Sequence, residues 1–270
     1  MKENWLGILL DLANDVYLAV NPILGTPESR EVVGRGASGD LTMRIDIVAE
    51  NIIIQHLERE KISCIFIGEE KGIQKIGDKP EVYLVVDSID GTTNAVRGIS
   101  FVSTSIAVSP TNRLSGIEVA VVKKLDDEGT YTARKGRGAY YNRKKIDPSK
   151  VTKVEDAVLS VELSRTPEIV EKAVPILRKA KVLRSLGSAA LEMCYVASSR
   201  LDGYIDIRGK LRTTDIAAGA LILKEAGGIL LKPDGQELND VPLVEINHFS
   251  FVAAANREIF QDISSLLGKV

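Results

Sequence analysis

Residues 83–96 read YLVVDSIDGTTNAV. Tyr83–Val86 has the composition of a buried strand, yet it runs straight into Asp87, with Asp90, Gly91, Thr92 and Thr93 behind it. Asp87 and Asp90 can be read as turn formers. An isolated charge at the edge of a buried strand is costly, however, and two carboxylates three residues apart call for a cation. Oxygen donors specify a hard one such as magnesium, which a few carboxylates hold while it keeps water and substrate phosphate in its shell. Gly91 permits close backbone approach, and the N–H groups of Gly91, Thr92 and Thr93 in a turn form an anion cradle. A metal beside such a cradle is a phosphate site, and the Thr92 hydroxyl can orient a water. Acids from several strand ends converge where α/β sheets build their sites, and 270 residues fit one large α/β domain or two small ones sharing a sheet.

Three further stretches carry acids in telling places: FIGEEKG (66–72), MRIDIVAEN (43–51) and LRTTDIAAGALILKEAGG (211–228). Glu69 and Glu70 follow a second apolar strand, where they are either a solvated strand exit or further ligands. Asp215 stands at the mouth of an apolar helix, where a first-turn acid is also favoured by the helix dipole.

Apolar spacing predicts helices over 4–20 and 43–60, with a Gly-rich mobile loop, VVGRGASGDLTMR, between them. Strands are expected over 63–67, 82–86, 102–108, 117–123 and 129–134, the last two joined as a hairpin by KLDDEG. A boundary at Pro148–Ser149 divides 1–148, an α+β half with most of the acids, from 149–270, an α/β half that completes the site. The second half alternates strand and helix: strands over 157–161, 182–184, 203–207, 228–231 and 249–253, and helices over 167–180, 188–198, 214–226 and 257–267. The two halves are expected to fold as one layered unit.

With 270 residues, 44% hydrophobic and 27% charged, the chain has material for a sizeable core. A net charge of −2 argues against nucleic acid as the partner, and the basic stretch 134–143 reads as a solvated hairpin. The apolar stretch 5–20 is interrupted by Asp11, Asn14 and Asp15 and has no basic lead-in. Neither a membrane span nor a signal peptide is expected, and the cytoplasm is the expected compartment. Cys64 and Cys194 read as buried free thiols. His56 and His248 stand near no nucleophile or metal-ligand partner.

Taken together, GEE, DSIDGTTN and TDIAAGALILKEAGG resemble the signature blocks of the inositol monophosphatase/fructose-1,6-bisphosphatase family of Mg²⁺-dependent, lithium-sensitive sugar phosphatases, and YTARKGRGAY and RSLGSAALEMC match intervening segments. The blocks follow the family's order over nearly the whole chain, which looks most similar to archaeal-type enzymes that act on both fructose 1,6-bisphosphate and inositol 1-phosphate. The resemblance implies an αβαβα sandwich with two mixed β-sheets and a homodimer or homotetramer. It implies that Glu69, Asp87 and the Ile89 carbonyl hold one Mg²⁺, and Asp87, Asp90 and Asp215 a second. Asp46, Glu70 and Thr92 would position and activate the attacking water, with no phosphoenzyme. The Gly91 and Thr92 amides would bind phosphate.

Departures bear on the substrate. Ser88 replaces a usual proline, Thr214 a frequent tryptophan, and two extra residues separate Asp206 from Asp215, which alters the sugar pocket. Ser38 stands where relatives often carry an acid for a third metal, with Asp40 nearby as its substitute. Arg165, Arg184, Arg208, Lys210 and Arg212 are expected to rim the pocket. Arg184 reads either as a clamp for a second phosphate or as a structural ion pair, and Asp206 as an acceptor for sugar hydroxyls. Two alternatives stand beside the sugar phosphatase: a 3′-phosphonucleotide phosphatase on the same scaffold, and a non-catalytic cation-binding regulatory protein. The intact Asp46–Glu70–Thr92 set argues against the second, and the short chain with few aromatics argues against the first.

Overall fold

The structure is a computed structural model that describes residues 4–36, 41–164 and 166–268. In chain order its elements are α1 (Trp5–Val20), β1 (Val32–Arg35), β2 (Leu41–Met43), α2 (Arg44–Arg59), β3 (Cys64–Gly68), β4 (Ile73–Ile76), β5 (Tyr83–Asp90), α3 (Thr92–Arg97), β6 (Ser103–Ser109), β7 (Val119–Lys124), β8 (Thr130–Arg134), β9 (Ala139–Tyr141) and β10 (Lys144–Lys145). The C-terminal half adds β11 (Val158–Val161), α4 (Pro167–Lys179), β12 (Val182–Arg184), α5 (Ala189–Ala197), β13 (Gly203–Leu211), α6 (Thr213–Ala226), β14 (Ile229–Leu231), β15 (Phe249–Ala254) and α7 (Arg257–Leu267).

An eight-stranded mixed sheet, β10-β9-β8-β7-β6-β5-β3-β4, and a five-stranded mixed sheet, β12-β11-β13-β15-β14, carry the fold. Helices α1 and α2 cover the outer face of the large sheet, α5 and α6 lie between the sheets, and α4 and α7 close the far face of the small one. The layers are therefore αβαβα, as expected. Burial follows pattern: β5 and β6 are buried along nearly their whole length because helices cover both faces. Leu9, Leu12 and Val16 of α1 pack into one core with Ile45, Ile53 and Leu57 of α2. By length and hydropathy the stretch Trp5–Ile23, α1 with the turn that follows it, matches a membrane-crossing helix, but Trp5, Leu9, Leu12, Ala13, Val16 and Val20 are the buried face of α1 against α2 and the sheet. A second core spans both sheets through α5 and α6.

Three details differ from the sequence expectation. Val32–Arg35 and Leu41–Met43 pair as an antiparallel ribbon instead of lying in a loop, because the β-branched Val32, Val33 and Thr42 favour extension; Ser38 and Asp40 lie outside the described residues. Short β4 pairs at the edge beside β3, its IQKI sequence too brief for a clear alternation. Strand β13 runs on to Leu211, but the pairing with β15 slips between Asp206 and Leu211, so 207–210 bulge from the sheet.

Candidate active site

Strands β3 and β5 run parallel with Gly68 opposite Val86. The residues that follow, Glu69 and Asp87, therefore emerge side by side at the C-terminal edge. Gly68 is required there: a Cβ would lie 1.8 Å from Glu50 Oε1 and 2.5 Å from Phe66 Cε1. Gly68→Ala should cost about 1–3 kcal/mol, read as a lower melting temperature together with weaker cation binding, since Glu69 is the next residue. A melting temperature equal to wild type would remove this packing argument.

Asp215, in the first turn of α6, brings a third carboxylate to the same place and accepts the Arg212 backbone N–H at 2.6 Å. One oxygen each from Glu69, Asp87 and Asp215 lie within 4.8 Å of one another. The Arg212 guanidinium donates to Glu69 and comes to 3.6 Å from Asp215, but one guanidinium does not balance three carboxylates. Asp87 Oδ1 is buried with no hydrogen-bond partner. An all-oxygen donor set with an orphaned buried carboxylate oxygen fits a hard divalent cation.

Electrostatics support this. Burial, reinforced by Asp215, pushes Glu69 up to about 8. Burial, with Glu69, Asp90 and Asp215 nearby, holds Asp87 well above the usual carboxylate range. Burial also raises Asp215, against the pull of Arg212. Groups that titrate near 4 when unfolded thus bind protons more tightly when folded, so the cation-free protein should lose stability as pH rises from about 4 to about 8. A chelator-treated sample is expected to melt several degrees lower at pH 8 than at pH 5, and divalent cation should recover the difference. A flat pH profile would mean that the carboxylates do not repel.

Asp90 sits where the β5–β6 register slips between Asp87 and Asp90. That bulge re-aims the chain so that both acids line one cavity. Asp90 also receives the N-terminus of α5, accepting from Ser188 Oγ (2.6 Å), Ala189 N (3.1 Å) and Ala190 N (2.7 Å). Burial raises it to about 7, and the Ser188 hydroxyl opposes the rise. Gly91 follows with φ +95°, and a Cβ there would lie 3.0 Å from Gly187 O.

On the adjoining wall Thr92 Oγ1 donates to Asp46 Oδ1 (3.0 Å), with the Ile89 carbonyl at 3.2 Å. Asp46, in the first turn of α2, also accepts the Met43 N–H at 2.9 Å. Burial lifts it to about 7, opposed by that N–H and reinforced by Glu70. Glu70 accepts from Thr42 Oγ1. Behind them is Glu50, fully buried, which accepts the backbone N–H groups of Lys71 (2.8 Å) and Glu70 (3.4 Å) and so pins the β3–β4 turn. Sequence reading passed over Glu50, although it lies one turn beyond Asp46 on an otherwise apolar face.

The cavity lined by Glu69, Asp87, Asp90, Gly91, Thr92 and Asp215 measures about 950 Å³ and extends to a remote end with Glu162, Ser164, Glu192, Tyr204, Arg208 and Lys210, while Asp46 and Glu70 are not among its lining residues. The β13 bulge places Arg208 and Lys210 there. Asp206 lies behind the lining, fully buried, and accepts from Arg208 Nε (3.0 Å) and Nη2 (2.6 Å). It holds a cation that faces the cavity. Arg184 is exposed, donates to the Leu183 carbonyl, and does not line the cavity. Arg165 lies outside the described residues. Glu192 was also passed over: it accepts from Ser160 Oγ and the Leu186 N–H, and burial raises it to about 8. A lone acid within AALEMC was the available signal.

A family model described as the inositol monophosphatase family matches residues 1–268. The chain belongs to that family. It is accordingly a phosphoric monoester hydrolase of a metal-dependent family. It is 36% identical to a fructose-1,6-bisphosphatase/inositol-1-monophosphatase of Methanothermobacter thermautotrophicus, over 97% of this chain and 96% of that protein. It is 35% identical to a bifunctional NADP phosphatase/NAD kinase of Methanococcus maripaludis, over 97% of this chain but only 49% of that protein's length. Among solved structures, an inositol monophosphatase–fructose 1,6-bisphosphatase superposes with a TM-score of 0.86 at 29% identity, covering 98% of this chain and all of that one. That solved structure and this chain share the layered scaffold.

Proposed function

We propose that the protein is a Mg²⁺-dependent hydrolase that releases the 1-phosphate of fructose 1,6-bisphosphate and the phosphate of inositol 1-phosphate. The observation that carries this reading is the Glu69–Asp87–Asp215 cluster on a cavity that Thr92 also lines, with Asp46 accepting from the Thr92 hydroxyl. Two relatives' names pair those substrates. Glu69, Asp87 and the Ile89 carbonyl would hold one ion, and Asp87, Asp90 and Asp215 a second; a third would draw on Asp40. When bound, such ions supply charge stabilisation at the phosphoryl oxygens and make water a stronger nucleophile. Thr92 orients the attacking water, and Asp46, with Glu70 beside it, accepts its proton. A base titrating near 7 is matched to this work. The Gly91 and Thr92 amides hold the phosphate, while Arg208 and Lys210 face the rest of the sugar.

Phosphate release from both substrates, with Mg²⁺ and with chelator, tests the reading. Mg²⁺-dependent release from both is expected. Release from neither, alongside hydrolysis of NADP, would favour the nucleotide reading that the NADP phosphatase relatives raise. Lys210→Ala should lower efficiency on fructose 1,6-bisphosphate by about tenfold, the worth of a charge-assisted hydrogen bond to a remote phosphate, and leave inositol 1-phosphate nearly unchanged. Equal losses on both would leave the second phosphate elsewhere. The assembly we expect is a homodimer or homotetramer, supported by the exposed Val32, Val33 and Leu41 of the ribbon. The compartment is the cytoplasm, supported by two buried free thiols.

A further inference from the structure

The segment 185–188 joins β12 to α5 and lines the main cavity. Its far end leads into the donors that hold Asp90: Ser188 Oγ, Ala189 N and Ala190 N. Its middle is fastened at both backbone polar atoms of one residue. The Leu186 carbonyl accepts from Asn94 Nδ2 at 2.7 Å, and the same amide nitrogen donates to the Phe101 carbonyl at 2.8 Å. The Leu186 N–H donates to Glu192 Oε1 at 3.3 Å. Asn94 stands on α3 in the N-terminal half, and Glu192 stands on α5 in the C-terminal half. The two side chains therefore grip Leu186 from opposite halves of the chain. Gly187 lets the segment pass, since its φ is +83° and a Cβ there would lie 3.4 Å from Asn94 Nδ2.

Glu192 is a costly side chain for its place. It is the one acid in α5, a helix packed between the two sheets, and it is 1% exposed. Its Oε2 is buried and has no hydrogen-bond partner among the described residues. A buried polar atom without a partner costs free energy that a hydrocarbon side chain would avoid. What a hydrocarbon could not do is accept the Leu186 N–H and the Ser160 hydroxyl, as Oε1 does. Ser160 lies on β11, so the carboxyl links the segment to the small sheet as well.

We propose that Glu192 and Asn94 are positioning residues: they clamp Leu186, and the clamp holds the N-terminus of α5 on Asp90 so that this carboxylate keeps the orientation in which it serves a cation. Neither residue needs to touch the reacting atoms. With Leu186 released, residues 187–190 lose their anchor, and the Ser188, Ala189 and Ala190 donors no longer fix the two Asp90 oxygens. Groups that orient a ligating carboxylate are typically worth about 10–100-fold in metal affinity or activity. The idea rests on the two-ion assignment proposed above, in which Asp90 serves one ion and not the other, and it deepens that assignment.

Calorimetric titration with Mg²⁺, beside kinetics on inositol 1-phosphate, tests the clamp in the full chain. In Glu192→Met one Mg²⁺ binding event should weaken about tenfold while the other stays within about twofold of wild type. The rate at limiting Mg²⁺ should fall with it, and excess Mg²⁺ should recover most of the loss. Glu192→Gln keeps an acceptor for the Leu186 N–H and should restore both the binding and the rate. Asn94→Ala reads the clamp from the other side, and decides the matter should Glu192→Met not fold. The double variant should be little worse than the poorer single one, because both side chains act on the same residue. Equal weakening of both events, or a lower melting temperature with unchanged Mg²⁺ binding, would make Glu192 purely structural and overturn the clamp. So would additive losses in the double variant, or failure of Glu192→Gln to restore binding. A chain that released no phosphate, yet lost one Mg²⁺ event selectively in Glu192→Met, would sink the hydrolase reading and keep the clamp. A single Mg²⁺ event in wild type would remove the two-ion assignment, and the clamp would then stand if Glu192→Met weakened that event and fall if it did not.

Discussion

Asp87→Asn is expected to reduce kcat/KM by about 10³-fold or more while making the metal-free protein more stable. Asp87 lies at the centre of the carboxylate cluster, is 3% exposed, and has an oxygen with no protein partner. In the proposed assignment it is the ligand common to both ions. The charge stabilisation that a catalytic metal provides is worth several kcal/mol, and each 1.36 kcal/mol is tenfold in rate. Without metal the same carboxylate repels Glu69 and Asp215, so a neutral isostere relieves repulsion that burial makes costly. The melting temperature in chelator should rise, at about 2–4 °C per kcal/mol for a chain of this size. The further rise that Mg²⁺ produces in wild type should shrink or vanish. Thermal melts with and without Mg²⁺, beside steady-state kinetics, measure both signs. Near wild-type turnover at saturating Mg²⁺ would defeat the metal assignment. Lost activity with a lower chelator melting temperature would mean that Asp87 stabilises the fold by itself.

Thr92→Ala should lower kcat by about 10²–10⁴-fold, the usual worth of proton-transfer assistance, with little change in KM. Its hydroxyl donates toward Asp46 and lies beside the Ile89 carbonyl, so it couples the proposed base to the end of β5. Orienting a water acts mainly in the transition state, which places the loss in kcat. Thr92→Ser keeps the hydroxyl and should restore most of the rate. A change confined to KM would make Thr92 a phosphate ligand only, and failure of serine to rescue would mean that the methyl group's packing is what matters.

The acids of the cluster were legible because each sits at a local boundary. Asp87 ends an apolar strand, Glu69 and Glu70 follow another, and Asp215 opens an apolar helix. Each break in pattern is visible within a few residues, and the joint order of the blocks identified the family. Glu50 and Glu192 were not legible in this way, because single acids inside helical patterns look like solvated positions until the packing shows them buried. Arg184 and Asp206 show the converse. Each stands at a strand end that reads as pocket-facing, but one is exposed beside the Leu183 carbonyl and the other lies behind Arg208.

The sequence by itself determined the alternation of strand and helix, the layered class, and the oxygen-rich, metal-seeking chemistry, because hydrophobic period and acid spacing are properties of short segments. Tertiary structure decided which groups meet. The parallel β3–β5 register sets Glu69 beside Asp87. The docking of α6 brings Asp215 and Arg212 to them, Arg212 reaching Glu69 across a separation of 143 residues. Slips in the β5 and β13 ladders turn Asp90, Arg208 and Lys210 into one cavity. A register slip of this kind leaves no local signature, because it depends on which neighbouring strand pairs with which residue, and that is set by the packing of the whole sheet.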